Sequence, residues 1–144
     1  MVLTQIKEIK QNPAVSIEQE VKLQTLIWKK WLSENGPILV KLDVDFNFYS
    51  ARGRILKTYG SNEAYQKHAV LIVGFNDDGF KIRNSWGAEW GDKGYIWVSY
   101  DYAFQAIDEA YGITMPNSEV GNPAPTEAPE KSLIDYLWGL IVGD

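Results

Sequence analysis

The chain has 144 residues, a formal net charge of −5, one histidine and no cysteine. The missing cysteines exclude disulfides and thiolate metal sites, and one histidine cannot build a His-rich site, so we expect neither metal nor cofactor. A chain of this length is normally one domain. Its negative net charge argues against a nucleic-acid partner, and the lack of a long apolar run argues against a membrane span.

The N-terminal third is predicted to hold a short strand within residues 3–10 and one long helix. Ser16 and Gln19 have the spacing of a capping box, which opens a helix that runs to about Glu34. Ile17, Val21, Ile27 and Trp31 are predicted to lie on or near one apolar stripe of this helix. The first seven residues lack the apolar core of a signal peptide, so a cytoplasmic location is the default expectation.

The middle of the chain is predicted to be rich in strands. Strands are expected at residues 38–44, 68–75, 80–83 and 94–100, with a short helix at 102–111. Lys41 interrupts the first of these apolar runs and faces either solvent or a functional cleft. Several short strands beside one long helix favour an α+β domain, with an open antiparallel sheet curled like a barrel.

The composition changes after residue 115. Residues 116–130 contain four prolines and few large apolar side chains, which predicts a disordered linker. Residues 131–144 carry an amphipathic pattern that is typical of a docking segment, with Leu133, Ile134, Leu137, Trp138, Leu140 and Ile141 on its apolar face. This segment could pack on its own domain, on another protein or on a membrane, and its acidic residues Asp135 and Asp144 disfavour the membrane.

Two strings in the second half carry the functional information. The single histidine, His68, opens HAVLIVGF, and Asn84 opens NSWGAEWGDKGY sixteen residues later. An imidazole that moves a proton and an amide that fixes the ring form a base-and-orienter pair. The nucleophile that such a pair would serve is missing, because the chain has no cysteine.

These strings resemble the histidine and asparagine segments of the papain-like cysteine peptidases, in which a cysteine attacks the peptide carbonyl. The resemblance extends from about Lys22 to Ile113 and implies that residues 1–115 are the β-rich C-terminal lobe of that fold. It implies His68 as the general base, Asn84 as the orienter and Trp86 as the indole that shields their contact. By the same resemblance, Ala69 and Trp90 would contact the substrate.

The nucleophile-bearing half of such a peptidase has no counterpart in the resemblance. In that family the cysteine lies about 130–150 residues before the histidine and asparagine, whereas 67 residues precede His68 here. The implied function is peptide-bond hydrolysis by a Cys-His-Asn arrangement, with this chain inactive alone. We expect the partner to be a Cys-bearing lobe or a second copy of the chain, and the substrate to be a peptide or protein. Ser85 is not expected to replace the cysteine, because the family has a serine in this loop.

A rival hypothesis comes from another functional class. The chain could be a non-catalytic pseudo-peptidase that binds a partner through its former cleft or through residues 131–144, for example as a cargo-loading peptide. The missing cysteine and the added tail favour this hypothesis, and the presence of both His68 and Asn84 speaks against it. The sequence leaves the substrate preference open, because much of the cleft in this family comes from the other lobe.

Overall fold

A computed structural model describes residues 1–7, 14–61 and 66–114 of the chain. These residues form one open antiparallel sheet of six strands, one long helix and two short helices. This is the α+β architecture with an open sheet and a long N-terminal helix that the sequence predicts. The predicted linker at 116–130 and the predicted docking segment at 131–144 lie outside the described residues.

The elements follow one another closely along the chain. In order they are β1 (Val2–Lys7), α1 (Ile17–Glu34), β2 (Ile38–Val44), α2 (Phe46–Tyr49), β3 (Gln66–Phe75), β4 (Gly79–Arg83), β5 (Tyr95–Ser99), α3 (Tyr100–Ala106) and β6 (Ile107–Thr114). Across the sheet the order is β1-β6-β2-β3-β4-β5, with every neighbouring pair antiparallel. The last described strand therefore lies between the first two.

The predicted helix at residues 102–111 is wrong in its second half. The helix α3 ends at Ala106, and the chain continues directly as β6 from Ile107. β6 pairs with β2 on one side and with β1 on the other. Backbone groups in a central strand are satisfied by both neighbours, and this tertiary pairing overrides a local helical preference.

The helix α1 begins with the predicted capping box. The Ser16 hydroxyl accepts the backbone N–H of Gln19, and the Gln19 side chain accepts the backbone N–H of Ser16. Two residues of the predicted stripe do not face the core, because Ile17 is 71% exposed and Ile27 is 43% exposed. The helix instead turns another face to the sheet, where Gln24 and Trp28 are buried and Trp31 and Leu32 pack against the core.

The contact between α1 and the sheet depends on a glycine in β6. A Cβ atom added at Gly112 would lie 2.1 Å from the indole ring of Trp31. Only glycine leaves room for that ring so close to a strand. Trp28, which is fully buried, continues the same contact into the core and packs against Phe80 at 5.6 Å between ring centroids.

The side chains of strand β2 alternate between the two faces of the sheet. Alternate residues point into the core, and the buried set is Ile38, Val40, Leu42 and Val44. Lys41 lies on the other face, where it forms an ion pair with Glu109 and pairs across the strands with Ala69. His68 pairs with Leu42, so its side chain lies on the core face. Lys41 therefore does not share a face with His68, which answers the question that the sequence leaves open.

Candidate active site

His68 lies near the start of β3, and its ring faces the loop that follows β4. The Nε2 atom of His68 is 2.7 Å from the Oδ1 atom of Asn84. An amide oxygen can only accept a hydrogen bond, so Nε2 donates its proton to Asn84. The neutral imidazole then keeps its lone pair at Nδ1. Nδ1 is therefore the atom of this ring that can take a proton from another group.

Asn84 is held rigidly in the loop that follows β4. The backbone N–H of Ser85 also donates to Asn84 Oδ1, at 2.8 Å, and this second donor fixes which side of the amide carries oxygen. The backbone N–H of Asn84 donates to the carbonyl of Gly94 at 3.0 Å. The side chain is 5% exposed, and its Nδ2 atom has no hydrogen-bond partner among the described residues. Asn84 thus has a fixed position from which it can orient the His68 ring.

Trp86 covers the imidazole of His68. The two rings are stacked, with centroids 4.9 Å apart and an angle of 22° between their planes. The indole is itself supported edge-on by Phe48 and Tyr49, at 5.5 Å and 6.0 Å between centroids. A half-buried indole in this position keeps water from one face of the imidazole and limits its rotation.

The short helix α2, which the sequence does not predict, supplies the floor of the site. Asp45 caps this helix by accepting the backbone N–H of Phe48 at 2.8 Å, and its other oxygen accepts the N–H of Gly60 at 2.9 Å. The hydroxyl of Tyr102 also donates to Asp45. Burial and this bond to the carboxylate raise the pKa of Tyr102 well above its usual range. A fully buried carboxylate with these donors fixes the start of α2.

Phe48 is the site residue that sequence reasoning misses. It is fully buried and meets His68 edge-on, at 6.4 Å between centroids. It also packs against Trp90 at 4.8 Å. The sequence shows only an aromatic cluster near residue 48, with no sign of which ring turns inward. The N-capping aspartate three residues earlier is the one local signal that could have indicated the helix.

Trp90 lies deep in the loop and not on its surface. It is 8% exposed, and its indole N–H donates to the backbone carbonyl of Phe48 at 2.9 Å. The next residue, Gly91, donates its N–H to the carbonyl of Ala51 at 3.0 Å. These bonds hold the loop against α2 and against Ala51 just after it, as expected if Trp90 closes the loop. The predicted contact of Trp90 with a substrate stays a prediction.

The loop from Asn84 to Tyr95 needs its glycines. Gly91 has a φ of +60°, and a Cβ atom there would lie 2.4 Å from the carbonyl oxygen of Tyr95. Gly87 and Gly94 also have positive φ angles, as does one residue with a side chain, Lys93. Backbone in this region is strained for other residues, so the glycines of the motif permit the turn that leads into β5.

The structure brings four of the five predicted site residues together, since Trp90 packs edge-on against Trp86 at 5.8 Å between centroids, and leaves one apart. His68, Asn84 and Trp86 are in contact. Ala69 is exposed on the opposite face of β3, because consecutive side chains of a strand alternate. Its predicted role in substrate binding therefore concerns a surface other than the one that holds the His68 ring.

The outer side of the loop is polar. A cavity of about 240 Å³ adjoins Asn84 and is lined also by Ser85, Arg83, Lys93 and Tyr95.

In the described part of the chain, no three acidic or histidine side chains cluster in a way that could hold a metal ion. Within residues 1–7, 14–61 and 66–114, no helix has the length and apolarity to cross a bilayer.

The sequence model of the papain family cysteine proteases matches residues 3–118. Cysteine proteinase B of Leishmania mexicana is 38% identical over 109 residues, which cover 66% of this chain and 24% of that protein. Cathepsin K of Gallus gallus is 44% identical over 75 residues, which cover 47% of this chain and 22% of that protein.

A solved structure shares the fold. The cysteine protease CMS1MS2 of Carica candamarcensis, crystallised with E-64, superposes with a TM-score of 0.52 at 23% identity, over 65% of this chain and 44% of that chain. The chain spans about a quarter of the length of the curated relatives it matches. With a family match over most of its length and the same fold in a solved relative, the chain belongs to the papain family of cysteine proteases.

Proposed function

We propose that residues 1–115 form the C-terminal lobe of a papain-family cysteine peptidase, whose thiol comes from outside these 144 residues. One observation carries this proposal. The 2.7 Å bond from His68 to Asn84 leaves Nδ1 as the proton acceptor, in a chain without a cysteine. An imidazole held in this way can deprotonate a thiol, and the resulting thiolate is a strong nucleophile.

The proposed mechanism assigns one task to each site residue. His68 Nδ1 takes the proton of the incoming thiol, and the thiolate attacks the peptide carbonyl. The imidazolium then returns the proton to the leaving amine, and His68 activates the water that hydrolyses the acyl-thioester. Asn84 accepts the Nε2–H bond throughout and holds the ring in plane. Trp86 keeps water from that bond.

The surroundings of the site support an incoming partner. Phe46 and Tyr49 of α2 are 56% and 59% exposed, and Tyr49 lies next to the Trp86 indole. Aromatic surface of this kind beside a candidate site is typical of an interface. The proposed partner is a Cys-bearing lobe or a second copy of the chain, and the proposed substrate is a peptide or protein, contacted in part by Ala69 and Trp90.

Two preparations of the full chain test this proposal. The recombinant chain alone should neither cleave fluorogenic peptides nor form an adduct with E-64, since it has no thiol. Material purified from the natural source with its associated chains should cleave them, and E-64 should stop it. His68→Ala should abolish that cleavage, whereas Lys41→Ala on the opposite face should retain it.

Two outcomes would contradict the proposal. Cleavage by the chain alone that is lost in His68→Ala would place the nucleophile among the hydroxyls of this chain. Source material that binds a partner without any thiol-dependent cleavage would favour the second candidate function.

The second candidate is a non-catalytic adaptor of the same fold, and the absence of cysteine favours it. In this hypothesis residues 116–130 are a mobile linker, and residues 131–144 dock on a partner, for example as a cargo-loading peptide. Partner binding would then be unaffected by His68→Ala. It would be lost when residues after Thr114 are deleted from a domain that stays folded.

A further inference from the structure

The helix α1 carries a second apolar stripe on the side away from the core. Leu23, Leu26 and Ile27 are 57%, 66% and 43% exposed. Their spacing, i, i+3 and i+4, places them on one face of the helix, whereas Gln24 and Trp28 on the other face are buried. A surface helix normally has one apolar face, so this outer stripe indicates a surface that is covered in the native molecule.

We propose that residues 131–144 of the same chain dock on this outer stripe. Their apolar residues Leu133, Leu137 and Leu140 repeat at helical spacing, and each is followed by a second apolar residue (Ile134, Trp138 and Ile141). A broad apolar face of this kind needs a complementary apolar surface. Pairing it with the outer stripe removes both surfaces from water in one step.

The chain leaves the described domain close to this helix. The last residue of β6, Thr114, pairs with Val2, and the N–H of its neighbour Ile113 donates to the carbonyl of Pro37 at 3.2 Å. Pro37 follows the C-terminal end of α1 by three residues. The chain past β6 therefore begins beside the end of α1 that is nearer to Ile27.

The intervening segment is long enough to reach the stripe. Residues 115–130 span about 20 Å as a flexible coil and about 50 Å when extended. The helix α1 has 18 residues, so its axis is about 27 Å long. The docking segment can therefore reach any point of the outer stripe without strain in the tether.

Exposed lysines on α1 offer partners for the acidic residues of the docking segment. Lys22 and Lys30 are exposed next to the stripe, and Lys22 also forms an exposed ion pair with Glu18. The docking segment carries Asp135 within its apolar pattern and Asp144 at its end. Opposite charges at the rim favour a defined orientation of the segment. The proposal uses no residue of the candidate active site, and it holds whether or not the proposed catalytic role is correct.

A disulfide test uses the absence of native cysteine, since two engineered cysteines are then the only thiols. The full chain with Leu26→Cys and Leu137→Cys should form an intramolecular disulfide on mild oxidation. The matched control is the pair Glu89→Cys and Leu137→Cys, because Glu89 is exposed in the Asn84–Tyr95 loop, away from the stripe. The tether alone brings either pair together at an effective concentration in the millimolar range, so docking should make the first pair react about tenfold faster.

The outcomes separate the possible occupants of the stripe. Equal rates for the two pairs would overturn the proposal. Disulfide-linked dimers in dilute solution would also overturn it, and would assign the stripe to a second copy of the chain.

A second measurement does not depend on engineered thiols. Leu23→Asp with Leu26→Asp changes two exposed side chains, so the domain should keep its circular dichroism and thermal midpoint. Chymotrypsin should then cut at Tyr136, Leu137 or Trp138 about tenfold faster than in the unmodified chain. Unchanged cleavage in a folded variant would contradict the proposal.

Discussion

The indole of Trp86 lies over the imidazole of His68, with ring centroids 4.9 Å apart and planes inclined by 22°. Beside the same imidazole, Phe48 presents its fully buried ring edge-on to both His68 and Trp86. The orientation of His68 is thus set by aromatic packing as well as by its bond to Asn84. Two independent constraints on one ring allow their contributions to be separated by mutation.

Replacing Trp86 with alanine should loosen the His68 ring without removing its bond to Asn84. Loss of the half-buried indole should lower the free energy of unfolding by about 1–3 kcal/mol, since an aromatic pair contributes beyond its buried area. Urea unfolding measures this loss, and NMR should show faster solvent exchange of the His68 Nε2 proton. Trp86→Phe is the control and should recover most of both effects. Unchanged exchange in Trp86→Ala would show that the indole does not shield the bond.

Replacing Asn84 with alanine should remove the hydrogen bond that selects one neutral tautomer of His68. With Oδ1 removed, Nε2 loses its acceptor, and the neutral ring should populate both tautomers instead of the Nε2–H form alone. The nitrogen chemical shifts of the ring report this directly. Ser85→Ala is the matched control, because it keeps the backbone N–H that bonds to Asn84. A ring that stays in the Nε2–H form in Asn84→Ala would contradict the assigned role.

Replacing Gly112 with alanine should weaken the contact between α1 and β6. The new Cβ atom would overlap the Trp31 ring, which lies 2.1 Å from that position. Overpacking of this kind typically costs about 1–3 kcal/mol. Gly53→Ala is the control, since no atom lies within 4 Å of its Cβ position. Equal stability of the two variants, measured by urea unfolding, would show that the Trp31 ring can move aside freely.

Lys7 should make the stability of the domain rise with pH. Burial lowers its pKa from 10.5 to about 8, although its ammonium donates to the carbonyl of Phe104 at 2.8 Å. Between those two pKa values the unfolded chain binds the proton and the folded chain does not, so the free energy of unfolding increases from about pH 8 upward. The full effect of this one group would be about 3 kcal/mol.

The measurement is urea unfolding at several values between pH 7 and 9, because tyrosines of the unfolded chain, with an ordinary pKa of 10.0, ionise above that range. Lys7→Met should remove most of the rise. Lys22→Met changes an exposed lysine of α1 and should keep it. A rise of the same size in Lys7→Met would assign it to other groups.

Local patterns in the sequence predict those parts of the molecule that depend on neighbours in the chain. The capping box at Ser16 and Gln19 predicts the start of α1, and the two motifs predict that His68 and Asn84 meet. The first prediction depends on spacing within a short segment, and the second depends on a long, specific string of residues. The fold class follows because short apolar runs beside one long helix allow few other arrangements.

The features that sequence reasoning misses are decided by distant contacts. Ile107 continues α3 in the sequence, yet it begins a strand because β2 accepts it as a partner. The buried face of α1 is set by the space that Gly112 leaves for Trp31. The helical periodicity of the sequence does not show where that space lies. Likewise, the inward turn of Phe48 depends on a cap at Asp45 that is completed by Gly60 and Tyr102.

The position of β6 between β1 and β2 also sets an order of events during synthesis. Among the six described strands, β1 is the first to emerge from the ribosome, but its neighbour β6 is the last of them to be made. Until Ile107–Thr114 has emerged, β1 has no strand to pair with, and the edge of β2 that later holds β6 stays open. β1 therefore cannot join the sheet until residues 107–114 have been made, and its protection from hydrogen exchange would mark completion of the six-stranded sheet.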